Sequence, residues 1–269
     1  MRKNKFVWIM AFLFSLMLPG FTSAQINNSK LVPECPIPGG EWKFIPEFSD
    51  EFNGRSMDTE KWYPYNPGWK GREPGYFSPA NVKVKNGNLI LTSKTETLKD
   101  LPEGYHTFTT AAVKSKKRML YGYYEVKFKP MDSRASSAFW FYAIDQDVWT
   151  EIDVFEICGK HPDKAWESKY FATTHVMKAP GVSDHISDNI EWKTPYRLAD
   201  VFSVCGLEWN EKEIKWYLNG EVIRSRENTY WHQPLEMNFD SETMPEWFGL
   251  PDPEDKAGHF KIDYVRVWQ

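Results

Sequence analysis

Eight short runs rich in β-branched and aromatic residues, at 88–93, 121–129, 137–143, 151–157, 170–175, 202–209, 213–218 and 260–268, constrain this chain more than any other feature. Most of them alternate apolar and polar residues, the period-two signature of a half-buried strand, and no segment sustains the 3.6-residue stripe of an amphipathic helix. Asn219-Gly220 joins the run ending at Leu218 to Glu221-Val222-Ile223, and Asn86-Gly87 precedes the run at 88–93. Asn-Gly is a strong hairpin signal because both of its residues accept positive φ. Short strands at this density predict an all-β domain, a sandwich or a barrel. The stretches 64–79, 160–167 and 178–195 read as loops rich in Pro, Gly and Trp, of the kind that wall a groove on a two-sheet sandwich.

Ahead of that body, Arg2, Lys3 and Lys5 precede an apolar run over 6–18, the breakers Pro19 and Gly20, and the small residues Thr22-Ser23-Ala24. This is the pattern of an export signal, so residues 1–24 are expected to be removed, leaving 25–269 as a single secreted or periplasmic domain. The run is shorter than the ~20 apolar residues of a membrane-spanning helix, and no membrane insertion is expected. Loss of the three leading cations leaves 30 basic against 37 acidic residues, a balance that argues against a nucleic-acid partner. Cys35, Cys158 and Cys205 allow at most one internal disulfide, and the histidines form no HExxH zinc pattern. Aromatic residues make up 16% of the chain, with 13 Trp, more than a core normally requires, which points to a flat, amphipathic ligand.

The segment 149–157 places Glu151, Asp153 and Glu156 on an otherwise hydrophobic strand. Glu151 and Asp153 share a face, whereas Glu156 is out of phase with them. A β-bulge around Val154-Phe155 would return Glu156 to that face, and bulges are over-represented beside active sites. Three aligned carboxyls raise one another's proton affinity, so one outer acid stays protonated while the other is ionised. Glycoside hydrolysis with retention requires that division, with the two working carboxyls about 5 to 5.5 Å apart. The bland alternative, a solvent-facing strand with idle charges, is weakened by the apolar opposite face of Ile152, Val154 and Phe155 and by the aromatic run Phe139-Trp140-Phe141-Tyr142 just upstream.

Glu151-Ile152-Asp153-Val154-Phe155-Glu156 resembles the bulged ExDxxE signature of glycoside hydrolase family 16, in the form typical of its galactan-cleaving enzymes and many laminarinases. Further similar segments are 48–54, 81–89, 121–126, 206–217 and 262–267, so the resemblance spans most of the chain. It implies a curved two-sheet β-jelly roll of the concanavalin A-like kind with a concave substrate cleft. It also implies Glu151 as nucleophile, Glu156 as general acid/base and Asp153 as the carboxylate that tunes both. The segments 69–77 and 240–251 resemble those of enzymes acting on red-algal galactans, and 136–142 looks more like porphyranases than agarases. The implied partner is therefore a sulfated galactan cut at β-1,4 linkages, with a β-agarase on unsulfated agarose as the rival and a non-catalytic lectin-like sandwich as the rival from another class.

A sulfate suits an arginine fork, which makes Arg72 and Arg134 the candidates, although Arg134 has an equally good alternative in pairing with Asp132. Trp69, Trp140 and Trp247 are the stacking candidates, and Glu242 lies in the similar C-terminal cleft segment. His175 reaches the cleft if its strand neighbours the catalytic one, as the resemblance implies, with a structural histidine equally open. Trp209, Trp216 and Trp268 sit in regular β patterns and are expected in the core. No cofactor is expected for catalysis. The resemblance also implies a structural calcium on the convex side at Glu51, Gly87 and Asp263, and a monomer is expected.

Overall fold

A computed structural model describes residues 32–269, and the expected export signal, residues 1–24, lies outside them. The chain runs through β1 (Trp62–Tyr63), β2 (Gly75–Phe77), β3 (Val82–Lys85), β4 (Asn88–Thr95), β5 (Phe108–Met119), β6 (Gly122–Lys129), β7 (Ser137–Ile144) and β8 (Trp149–Ile157). It continues through β9 (Lys169–Lys178), β10 (Ile186–Lys193), β11 (Ser203–Trp209), β12 (Glu213–Leu218), β13 (Glu221–Glu227), β14 (Leu235–Ser241) and β15 (Gly258–Trp268). Among the described residues the helical segments are short 3-10 turns, and none is long and apolar enough to cross a membrane.

All eight runs expected as strands are strands. Asn86 (φ 54°) with Gly87 (φ 72°), and Asn219 (φ 50°) with Gly220 (φ 83°), supply the paired positive φ angles of the β3–β4 and β12–β13 hairpins. The region 178–195, expected as a loop, contains β10 instead. β10 pairs with β9 alone and is largely exposed; only Ile190 and Trp192 pack against the core, and an alternation that short does not mark a strand. β5 was hidden for the opposite reason: its first half is buried on both faces and built from Thr and Ala, which leaves no alternation to read.

The two expected layers are parts of one hydrogen-bonded sheet in the order β10-β9-β8-β7-β14-β5-β4-β15-β6-β11-β12-β13. It curves back on itself, turning at the short β4–β5 pairing of Lys94 with Thr109 and Thr95 with Phe108. Phe128 of β6 stacks on Phe155 of β8 with ring centroids 4.1 Å apart, so the outer layer packs directly behind the strand that carries the acids. Phe139 on Phe239, 4.7 Å apart, fixes β7 against β14 in the same core. Burying each such ring contributes roughly 2–3 kcal/mol. The jelly roll is therefore held from within, leaving the concave face free to be polar.

Candidate active site

Strand alternation lays out the floor of the concave face. On β8, Trp149, Glu151 and Asp153 point to one side, and directly across on β7 stand Ile144, Tyr142 and Trp140. The register then slips against both neighbours: Trp140 pairs with Asp153 and Phe139 with Phe155, while on the other edge Asp153 pairs with Thr173 and Glu156 with Phe171. One extra β8 residue is absorbed at Val154-Phe155, both of which are fully buried. This is the bulge the acid spacing requires, and it turns Glu156 out of the core. A cleft of about 390 Å³ is lined by Trp69, Arg72, Trp140, Tyr142, Trp149, Glu151, Asp153, Glu156 and Glu242.

Burial dominates the electrostatics. Asp153 is pushed up to about 8 by desolvation, with a carboxyl–carboxyl hydrogen bond to Glu151 pulling the other way. Glu151 and Glu156 are held well above the ordinary carboxylate range, first by burial and then by the neighbouring Asp153 charge. Glu242 rises to about 7 against the pull of Arg72. Burial raises the proton affinity of all four carboxyls and mutual repulsion adds to it at Glu151, Asp153 and Glu156, the setting in which acid–base chemistry near neutral pH is arranged. His175 stands on β9 opposite Glu151, its Nε2 3.4 Å from Asp153 Oδ2 and its Nδ1 3.0 Å from His185 Nε2. Its pKa is lowered by burial, with the Glu151 charge opposing. Donor atoms of Glu151, Asp153 and His175 lie within 4.8 Å of one another, the one set among the described residues close enough to grip a cation.

The other expected site residues divide. Arg72 lies in the cleft with its Nε 2.9 Å from Glu242 Oε2 and Nη2 3.5 Å from Oε1, its side chain 55% exposed and that of Glu242 nearly buried. Trp140 also lies there, its Nε1 donating to Asp240 Oδ2 at 2.8 Å, and Trp69 packs edge-on to it with centroids 6.3 Å apart. Trp247 lines an adjoining recess with Arg72 and Glu156, stacked on Phe248. Arg134 lines neither space. It donates to the carbonyl of Leu250 at 3.2 Å, and its alternative partner Asp132 is taken by Arg197.

The calcium set does not fit its ion as arranged. Glu51 is forked by Arg266 at 2.8 and 3.0 Å and Asp263 is paired with Lys127, so both carboxylates are already neutralised. Gly87 serves the β3–β4 turn. Sequence reasoning missed Tyr142, Trp149 and Ile144, which face the cleft, and Asp240 and Lys114 behind them. Lys114 Nζ donates to the Tyr142 hydroxyl at 3.0 Å. Period two counted back from Glu151 reaches Trp149, and that count carries across the pairing to Ile144 and Tyr142 only once the β7–β8 register is known.

A family model described as "Beta-porphyranase A-D, GH16 domain" matches residues 42–269. The chain belongs to glycoside hydrolase family 16. Among its family 16 relatives, β-porphyranase B of Zobellia galactanivorans is 30% identical, over 95% of this chain and 94% of that protein. The crystal structure of porphyranase B from the same organism superposes with a TM-score of 0.74 at 27% identity, covering 85% of this chain and 93% of that one. A κ-carrageenase of Pseudoalteromonas carrageenovora is 26% identical over 91% of this chain and 69% of its own length. These family 16 relatives bear the names of polysaccharide-cleaving enzymes, and the chain is accordingly a glycosidase homologue with their jelly-roll fold.

Proposed function

We propose that this protein is an exported, retaining endo-β-galactanase that hydrolyses β-1,4 linkages of porphyran, a sulfated red-algal galactan. The observation that carries the reading is the β8 bulge, which sets Glu156 in one cleft with Glu151 and Asp153 while Val154 and Phe155 stay in the core. The carboxylate of Glu151 attacks the anomeric carbon and the protonated carboxyl of Glu156 gives its proton to the departing glycosidic oxygen. A covalent glycosyl ester on Glu151 results, and the freed chain leaves. Glu156, now a carboxylate, takes a proton from water, whose oxygen displaces Glu151 from the anomeric carbon. Asp153, its pKa pushed up to about 8, keeps a proton that it can donate to the Glu151 carboxylate, which steadies the nucleophile before attack and after its release.

Arg72 supports a sulfated substrate. Glu242 occupies one edge of its guanidinium, and the remaining N–H donors of a half-exposed fork are free for a sulfate ester. Trp69, Trp140 and Trp149 offer indole surface to the sugar faces along the same floor. The open cleft suits internal cleavage. The test is product sizing after digestion of porphyran, agarose and κ-carrageenan. Oligosaccharides from porphyran support the reading, and release from agarose alone converts it to an agarase. Arg72→Lys should lower kcat/KM on porphyran about tenfold, the scale of one charge-assisted contact, while any activity on agarose is unchanged.

A further inference from the structure

The terminal strands of the long sheet path, β10 and β13, share no backbone pairing. Side chains join them instead. Arg224 of β13 donates to the Ala172 carbonyl of β9 at 2.6 Å and to Asp188 Oδ2 of β10 at 2.7 Å. Arg226 reaches the same carboxylate at 3.1 Å and also bonds the Thr174 hydroxyl. The Arg224 side chain is only 4% exposed while that of Asp188 is 52% exposed, so the seam is buried at its arginine end and open to solvent at its carboxylate.

Each guanidinium also lies on an indole. Arg224 sits 4.6 Å above the Trp216 ring and Arg226 4.4 Å above Trp231. Both indoles aim their N–H groups at the underside of the strands that carry the acids. Trp216 Nε1 donates to the carbonyl of Asp153 at 3.1 Å, and Trp231 Nε1 is shared between the carbonyls of Glu151 at 2.8 Å and His175 at 3.2 Å. The three carbonyls belong to residues whose side-chain polar atoms come together, two on β8 and one on β9, and the β8–β9 ladder is interrupted at Trp149/Thr150 and again at Asp153/Glu156. Between those two irregularities, β8 accepts from two indole donors, Trp216 of β12 and Trp231 of the β13–β14 connection.

We propose that Trp231 and Trp216, braced by Arg226 and Arg224, are positioning residues that fix the height and tilt of Glu151 and Asp153 above the floor of the cleft. The proposal rests on the reading of Glu151 as nucleophile. An indole N–H is a rigid donor with no rotamer of its own once the ring is packed, so it sets a backbone carbonyl more tightly than a flexible side chain does. A displacement of about 1 Å at a reacting group costs roughly 10²-fold in rate. Arg224 adds a second effect, since its charge opposes the rise in proton affinity of Asp153.

The test is steady-state kinetics of the full mature chain on whichever polysaccharide the wild type cleaves, alongside thermal melts. Trp231→Phe keeps an aromatic ring, smaller than the indole, and removes the N–H. It is expected to lower kcat tenfold to a hundredfold, on the scale cited for misplacement, with KM within about twofold. Trp268→Phe is the control. Its Nε1 donates to the Pro33 carbonyl, away from the cleft, and its loss is expected to lower the melting temperature comparably while kcat stays at the wild-type value. Arg226→Gln, which strips the cation from the Trp231 face and leaves the indole in place, keeps the test usable where Trp231→Phe does not fold. It should lower kcat severalfold at constant KM. An unchanged kcat in both Trp231→Phe and Arg226→Gln, or an equal loss in Trp268→Phe, overturns the proposal. Glu151→Gln separates the two levels: if it stays active, the nucleophile reading has failed, whereas an inactive Glu151→Gln beside normal Trp231→Phe and Arg226→Gln overturns the positioning role alone.

Discussion

The cleft and a second groove on the outer layer make an instructive pair. The groove is the larger, about 530 Å³ against 390 Å³, and the more richly charged, with Lys129, Lys160, Arg197, Lys256 and Lys261 beside Asp132, Asp200 and Asp255. Each of its acids has a cation: Lys160 pairs with Asp255, and Arg197 with both Asp132 and Asp200. The cleft does the reverse. It sets Glu151, Asp153, Glu156 and Glu242 around one lining cation, Arg72, with Asp240 buried just beneath. Size and charge density alone would choose the wrong cavity. Unmatched like charges, held out of water by a fold that tolerates their cost, mark the place where proton transfer is arranged.

Removing the proton donor should have the largest effect on that contrast. Glu156→Gln is expected to lower kcat by about 10²–10⁴ while the melting temperature holds or rises, since a buried carboxyl is replaced by a neutral isostere; kinetics and calorimetry read both. Next in size is the anchor of the bulge. Phe155→Ala removes the ring stacked on Phe128 and should cost about 3–5 kcal/mol in denaturant unfolding, with activity falling further than stability alone explains.

The pH dependence of stability comes third. Asp153 and Glu242 bind protons more tightly folded than unfolded. Their stabilising contribution is therefore full below the free carboxylate range near pH 4, and it is lost as pH rises through about 7 for Glu242 and about 8 for Asp153. Melting temperature should fall between about pH 5 and about pH 8, and Asp153→Asn should flatten that decline. The smallest effect belongs to the groove. Lys160→Gln breaks a partly exposed pair and should change stability by less than about 0.5 kcal/mol and activity not at all.

How much of this could be read in advance depended on whether the physics was local. The acid spacing, the Asn-Gly turns and the alternating runs are local, and they yielded the strands and the bulge. β10 escaped because an exposed edge strand writes only a short apolar face, Ile190 and Trp192, into its sequence. The surroundings of Arg134 and of the Glu51–Asp263 pair were illegible for a different reason: their nearest partners, Leu250, Arg266 and Lys127, come from distant segments that no spacing rule connects. Trp216 was expected in the core and lies there, fully buried, yet its N–H holds the Asp153 carbonyl. Burial alone could not reveal that donor, because the target belongs to a strand 63 residues away.

Stereochemistry tests most directly whether the bulge brings Glu156 within working distance of Glu151. Proton NMR of the first sugar anomer released, recorded before mutarotation, should show the β configuration of the substrate retained, as two carboxyls about 5 to 5.5 Å apart require. Initial release of the α anomer would mean that the acids stand far enough apart to admit water between them, and would contradict the account.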